Sequence, residues 1–107
     1  MLNFINIKKI FPDEALAAGA FIVATGRSDF KNQVNNSLAF PGVFRGALDA
    51  KATIINNEMK LAAASAIASC VEPKKDNILP YTLDKQVSSK VAEAVKKAAI
   101  ETGVCRE

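Results

Sequence analysis

Residues Ala20 to Ala24, AFIVA, make a short continuous apolar run between Gly19 and Gly26. Its unbroken apolar character and its glycine boundaries predict a strand covered on both faces, as in parallel sheets. That expectation constrains everything else. A buried strand without neighbours leaves backbone donors and acceptors unpaired away from water. Only Leu2 to Ile7 offers a second candidate strand.

The rest of the chain reads as helix and turn. Pro12, Asp13 and Glu14, followed by Ala-rich sequence up to Gly19, predict a short helix. Pro suits a first turn, acids suit the positive end of the dipole, and Gly closes it. Pro41-Gly42 punctuates the middle, and Val43 to Ala50 predicts a helix of about two turns. Asn56 or Asn57 is placed to cap a longer helix through roughly Val71. In it, Met59, Ala63, Ala66, Ile67, Cys70 and Val71 fall on one helical stripe, with enough Ala for close approach to a neighbour. Glu72 to Pro80 is a polar turn region. The last helix is expected from Ser88 or Ser89 to Thr102, ending at Gly103, with Val91, Val95, Ala98 and Ala99 as its apolar face and Glu93–Lys97 as an i, i+4 pair. No internal repeat and no low-complexity segment is present.

One or two strands among several helices do not make an ordinary sheet. The expected fold class is therefore α/β: a helix-rich part of a doubly wound domain. The 107 residues read as a single incomplete domain, continuing a larger one.

Composition excludes several functions. Half the residues are apolar and 23% are charged, which is globular rather than disordered. The net charge of +3 is mild, and the lysines form only scattered pairs at Lys8-Lys9, Lys74-Lys75 and Lys96-Lys97. With one Tyr and no Trp, nothing suggests a basic face interleaved with stacking aromatics, so no nucleic-acid partner is expected. There is no His, so the usual general base and every Ser-His or Cys-His nucleophile pair are absent. Two distant cysteines, Cys70 and Cys105, cannot alone close a structural zinc site, and free thiols in a reducing compartment are expected. No apolar run approaches the ~20 residues that span a bilayer. MLNFINIKKIF places its basic pair after the apolar piece, the reverse of a secretory signal, so a cytoplasmic protein with no membrane partner is expected.

Polar chemistry gathers directly after AFIVA, in GRSDFKNQVNN, Gly26 to Asn36. In open α/β sheets ligands bind beyond the carboxyl ends of the strands, which would put Thr25, Gly26 and Arg27 at that edge. Gly26 allows close backbone approach to a ligand. Asn side chains carry donors and an acceptor, suited to a carboxamide or a hydroxy acid. The plainer alternative is that Asp29 and Asn32 only make turns and helix caps.

ATGRSDFKNQVNN, FPGVFRGALDAKAT, IN, EMKLAAA, ILP, VAEAV and AAIETGV, in that order, resemble the C-terminal part of the cofactor-binding domain of malic enzymes, most closely the bacterial small-chain type. The resemblance runs from about Phe11 through Arg106, with residues 1–10 a poorly matching leader. It implies part of a Rossmann-like NAD(P)-binding domain. It also implies oxidative decarboxylation of malate to pyruvate and carbon dioxide, with NAD or NADP reduced and Mg or Mn required in the parent enzyme.

By the same resemblance, Asn35 and Asn36 of QVNN lie at the substrate and nicotinamide site, with Gly26 and Arg27 beside them. Which Asn contacts malate stays open. Phe40 to Ala47 and Glu58 to Ala64 are expected to build the fold, with Arg45 an interior salt-bridge partner.

The departures from the family bear on function. Lys31 stands where the family often has Pro, which implies a less rigid loop. The Asn-Pro motif expected just before this segment is missing, and Asn3 and Asn6 do not match it. No GxGxxG occurs. The family's catalytic Lys and Tyr and its acidic metal ligands belong to a preceding part that these residues do not match. The residue that distinguishes NAD from NADP follows an earlier strand as well. The expectation is a malic enzyme fragment, inactive alone, whose partners are malate, NAD(P) and either the missing N-terminal part or a second copy. The alternative is a free-standing, non-enzymatic interaction module of the same descent.

Overall fold

In the computed structural model, which describes residues 10–80 and 84–106, helix α1 spans Pro12–Ala17 and a 3-10 turn spans Asn36–Leu38. Helices α2, α3 and α4 span Phe40–Ala50, Asn57–Ser69 and Lys85–Glu101. The candidate strand at Leu2 to Ile7, with Asn3 and Asn6, lies outside the described residues.

Helix α4 is the spine. Val91, Val95, Ala98 and Ala99 recur at helical spacing and are buried, as the sequence pattern predicts, and Val87 extends that face by a turn. The helix begins about one turn before Ser88. Asp84 accepts the Gln86 N–H at 2.9 Å through its side chain and so caps the first turn earlier than the two serines would. Gly103, at φ +73°, follows the helix end.

Helix α2 crosses α4 on glycine. A Cβ at Gly42 would stand 2.6 Å from the Val91 Cβ, and one at Gly46 would stand 2.9 Å from the Val95 Cβ. Only hydrogen fits there. Pro41-Gly42 is therefore not a break: Pro41 sits in the first turn, where its missing N–H costs nothing, and the helix starts at Phe40 rather than Val43. Lys51 closes α2 in a left-handed conformation, φ 55°, with its N–H turned back to the Ala47 and Leu48 carbonyls.

Helix α3 is capped as expected, by Asn56, whose Oδ1 accepts the Met59 N–H at 2.9 Å. The Asn56 Nδ2 donates to the Thr102 Oγ1 at 2.8 Å, tying the start of α3 to the end of α4. Met59 and Ala63 are buried, with Ala66, Ile67 and Cys70 partly buried beside them. The tail then pairs with the α2–α3 link: the Thr53 N–H donates to the Val104 carbonyl at 2.8 Å, and the Arg106 N–H to the Lys51 carbonyl at 2.7 Å. Among the described residues the buried core has Leu38 and Met59 as its large members and otherwise Val and Ala, which draws the helices close.

Three expectations are corrected. AFIVA is not a buried strand: residues 20–24 pair with no strand among the described residues, and Phe21 and Ile22 are 73% and 43% exposed. The physical reason is the one the sequence raised, since the described residues offer neither a neighbouring strand nor a covering layer. Among the described residues its pairing is a single parallel bridge at its end, Thr25 to Gln33. Arg45 is not interior; its side chain is 72% exposed, and its Nε lies 3.1 Å from the Asp49 carboxylate one turn along the same helix. Such a pair contributes about 0–1 kcal/mol. On α4, Lys97 approaches Glu101, at 3.9 Å, rather than Glu93.

Candidate functional site

The segment from Thr25 to Asn36 leaves α1 and returns to the 3-10 turn before α2. Its path is fixed by backbone bonds at its neck: the Thr25 N–H donates to the Asn32 carbonyl at 3.2 Å, and the Val34 N–H to the Thr25 carbonyl at 2.8 Å. The Gln33 Nε2 donates to the Gly26 carbonyl at 3.3 Å. Thr25, Gly26 and Gln33 thus form one edge.

Asn32 holds that edge to the rest of the chain. It is a buried polar residue with a left-handed backbone, φ 56°, a conformation Asn tolerates better than most. Its Nδ2 donates to the Val23 and Lys75 carbonyls, each at 3.0 Å, and its Oδ1 accepts the Ile78 N–H at 3.0 Å. One side chain therefore joins the AFIVA segment to the Glu72–Pro80 turn region. Sequence reasoning assigned Asn32 no more than a turn or cap. The signal it lacked was the pairing to residues some forty positions away. A second tie lies nearby: the Lys31 Nζ donates to the Asp76 carboxylate at 3.2 Å.

Arg27 faces Asp29. Its Nε donates to Oδ1 at 2.9 Å and its terminal nitrogen to Oδ2 at 2.6 Å, a bidentate pair. The guanidinium also lies over the Phe30 and Phe11 rings, 5.1 and 5.6 Å from their centroids. Hydrogen bonding to Arg27 holds the Asp29 carboxyl below its usual range, partial desolvation opposing, and the same bonds raise the Arg27 pKa. The positive charge is largely answered within the loop. Above Gly26 the space is open: an added Cβ would meet only the Val34 carbonyl, at 3.9 Å.

The two adjacent asparagines divide in role. The Asn35 Oδ1 accepts the Ser37 N–H at 3.0 Å and caps the 3-10 turn, while Asn36 is the first residue of that turn. Both are exposed. The structure brings Thr25, Gly26 and Gln33 together and holds Asn35 and Asn36 just past them, with Arg27 turned aside to Asp29.

Among the described residues no group of three or more His, Cys, Asp or Glu could hold a metal ion. Cys70 and Cys105 are free, and the Cys70 thiol donates to the Ala66 carbonyl at 3.1 Å. No helix among the described residues is long and apolar enough to cross a membrane.

Residues 16–100 match the family profile described as malic enzyme, NAD binding domain. The bifunctional malic/malolactic enzyme of Bacillus subtilis is 60% identical over 101 residues, covering 92% of this chain and 25% of the relative. An NADP-dependent malic enzyme of Rhizobium meliloti is 45% identical over 92% of this chain and 15% of its own length. The crystal structure of malic enzyme from Pyrococcus horikoshii superposes with a TM-score of 0.88 at 53% identity, over 94% of this chain and 24% of that one. The described helices therefore take the arrangement they have in a solved enzyme, and the chain spans a quarter or less of the length of these relatives. It belongs to the malic enzyme family, as part of the Rossmann-like NAD-binding domain.

Proposed function

We propose that this chain is a segment of a malic enzyme that oxidatively decarboxylates malate to pyruvate and carbon dioxide with NAD or NADP. Its contribution is one wall of the site where malate and nicotinamide meet. The observation that carries the proposal is the presentation of two adjacent exposed carboxamides, Asn35 and Asn36, on a loop pinned to the protein by buried Asn32. Both NAD and NADP remain compatible, since the matched family profile is an NAD-binding domain and one relative is NADP-dependent.

The groups on this wall orient rather than react. The Asn35 Oδ1 already accepts the Ser37 N–H, leaving its Nδ2 as a donor toward a carboxylate or hydroxyl oxygen. The Asn36 amide offers both a donor and an acceptor, which suits a nicotinamide carboxamide or an α-hydroxy acid. Gly26 leaves room for a ligand against the backbone edge. Arg27, engaged by Asp29, serves to stiffen the loop, and its contact with an anionic ligand would require that pair to open. Bound NAD(P) supplies the hydride acceptor. Among the described residues no metal-holding group is found; the reading assigns the general base and the metal ligands to the remaining part of the enzyme, and positioning is this segment's catalytic term. The chain constitutes a single incomplete domain, and a cytoplasmic location accords with its two free thiols.

The test is the assay of the purified 107-residue chain with malate, Mg or Mn, and NAD or NADP. It is expected to reduce no cofactor. Substituting this chain for the matching quarter of the Bacillus subtilis relative is expected to give a chimera that does. Turnover by the chain alone, or none by a folded chimera, would overturn the proposal.

A further inference from the structure

One face of α2 packs on α4 through Gly42 and Gly46. The opposite face carries Phe40, Phe44 and Leu48, spaced four residues apart, 51%, 55% and 74% exposed. Phe40 and Phe44 stack with centroids 5.8 Å apart and planes 14° from parallel. Ile54, 58% exposed, extends the surface past the end of the helix, where Phe44, Ala47, Leu48 and Ile54 line a shallow groove. A contiguous apolar stripe of this kind is unusual on a free surface.

Four of the exposed large apolar residues among those described, Phe40, Phe44, Leu48 and Ile54, gather on this one surface. The same fold occurs at a TM-score of 0.88 inside a chain of which it forms 24%.

We infer that the Phe40–Phe44–Leu48 face of α2, extended by Ile54, is the seat of the remaining three-quarters of the malic enzyme chain, which covers it with apolar side chains. This rests on the proposed function for the identity of the partner. It goes beyond it in assigning a particular helix face as the assembly surface. The stripe itself carries no charge; Arg45 and Asp49 beside it answer each other, and Lys51 and Arg106 stand at the rim of the groove. The match is one of apolar shape.

The test uses the chimera in which this chain replaces the matching quarter of the Bacillus subtilis relative, together with the isolated chain. In the chimera, Phe44→Asp and Leu48→Asp are each expected to lower the melting temperature by about 5 °C or more, or to abolish soluble enzyme. Phe44→Leu and Leu48→Met, which keep the surface apolar, are expected to cost less than half as much. The isolated chain is expected to sediment as a monomer at micromolar concentration. Melting temperatures indifferent to both Asp variants would overturn the inference, as would a chimera that never assembles. A dimer of the isolated chain that Phe44→Asp dissociates would also overturn it, in favour of a second copy as the occupant. A chimera that folds with a sensitive stripe but turns over no malate would leave the assembly surface standing and remove the proposed function. An active chimera indifferent to the stripe would do the reverse.

Discussion

At the scale of single residues, Asn32 does the most to hold the loop in place. Replacing it with Ala removes hydrogen bonds from the Val23 and Lys75 carbonyls and from the Ile78 N–H, and leaves a residue with a β-carbon at φ 56°. Each buried group left without a partner costs about 1–3 kcal/mol. Asn32→Ala is therefore expected to free the Ile78 amide to exchange with solvent much faster, read by hydrogen exchange. Asn32→Gly should relieve the backbone strain without restoring that protection.

The Arg27–Asp29 pair makes a pH prediction. Arg27 lowers the Asp29 pKa in the folded chain, so the pair's contribution is present at neutral pH and is lost as pH falls through that lowered value. The raised Arg27 pKa keeps the guanidinium charged throughout the same range. An NMR titration of the Asp29 carboxyl should therefore show its midpoint move upward in Arg27→Ala. An unmoved midpoint would mean that the pair does not persist in solution.

Much of this residue chemistry was out of reach of the sequence. GRSDFKNQVNN marked itself as a polar segment worth attention. Nothing local in it showed that Asn32 would look inward to residues 75 and 78, or that Arg27 would turn to a neighbour two positions away.

At the scale of elements, the α2–α4 crossing is the tightest contact described. Gly46→Ala would press a methyl into the Val95 Cβ, 2.9 Å away, and the Lys96 nitrogen, 3.1 Å away. Helix propensity alone would favour Ala by about 1 kcal/mol. The steric term is expected to win, giving a net loss of about 1–2 kcal/mol in thermal or denaturant unfolding. A stabilised Gly46→Ala would show that the helices do not approach so closely. Met59→Ala, at the fully buried end of α3, is expected to cost about 2–4 kcal/mol by the same measurement.

Helices were the legible part of the sequence, because their signals are local. The Asn56 cap, the Met59 stripe and the Val91–Val95–Ala99 face all stand where periodicity puts them. Pro41-Gly42 misled because glycine has two uses, to break a helix or to let another helix come close. Only the position of Val91 decides between them. The strand at AFIVA was misjudged for the complementary reason. An apolar run states that something should cover it, while the cover itself is non-local and is not supplied by the described residues.

At the scale of the whole molecule, an exposed apolar run at AFIVA, an exposed apolar helix face and about a quarter of a relative's length describe one condition. The helical core around α4 is built by α2 and α3 packing on it, while the polar edge after Thr25 and the outer face of α2 are the surfaces proposed to meet more polypeptide. The central claim is that the Asn35–Asn36 amides belong to a malate and nicotinamide site completed by that polypeptide. It is tested most directly by the initial rate of malate-dependent NAD(P)H formation in the chimera, with and without Asn35→Ala and Asn36→Ala together. The expected result is a loss on the order of 100-fold in kcat/KM, as misplaced partners give, with little change in melting temperature. A double variant that turns over malate as fast as the unsubstituted chimera would contradict it.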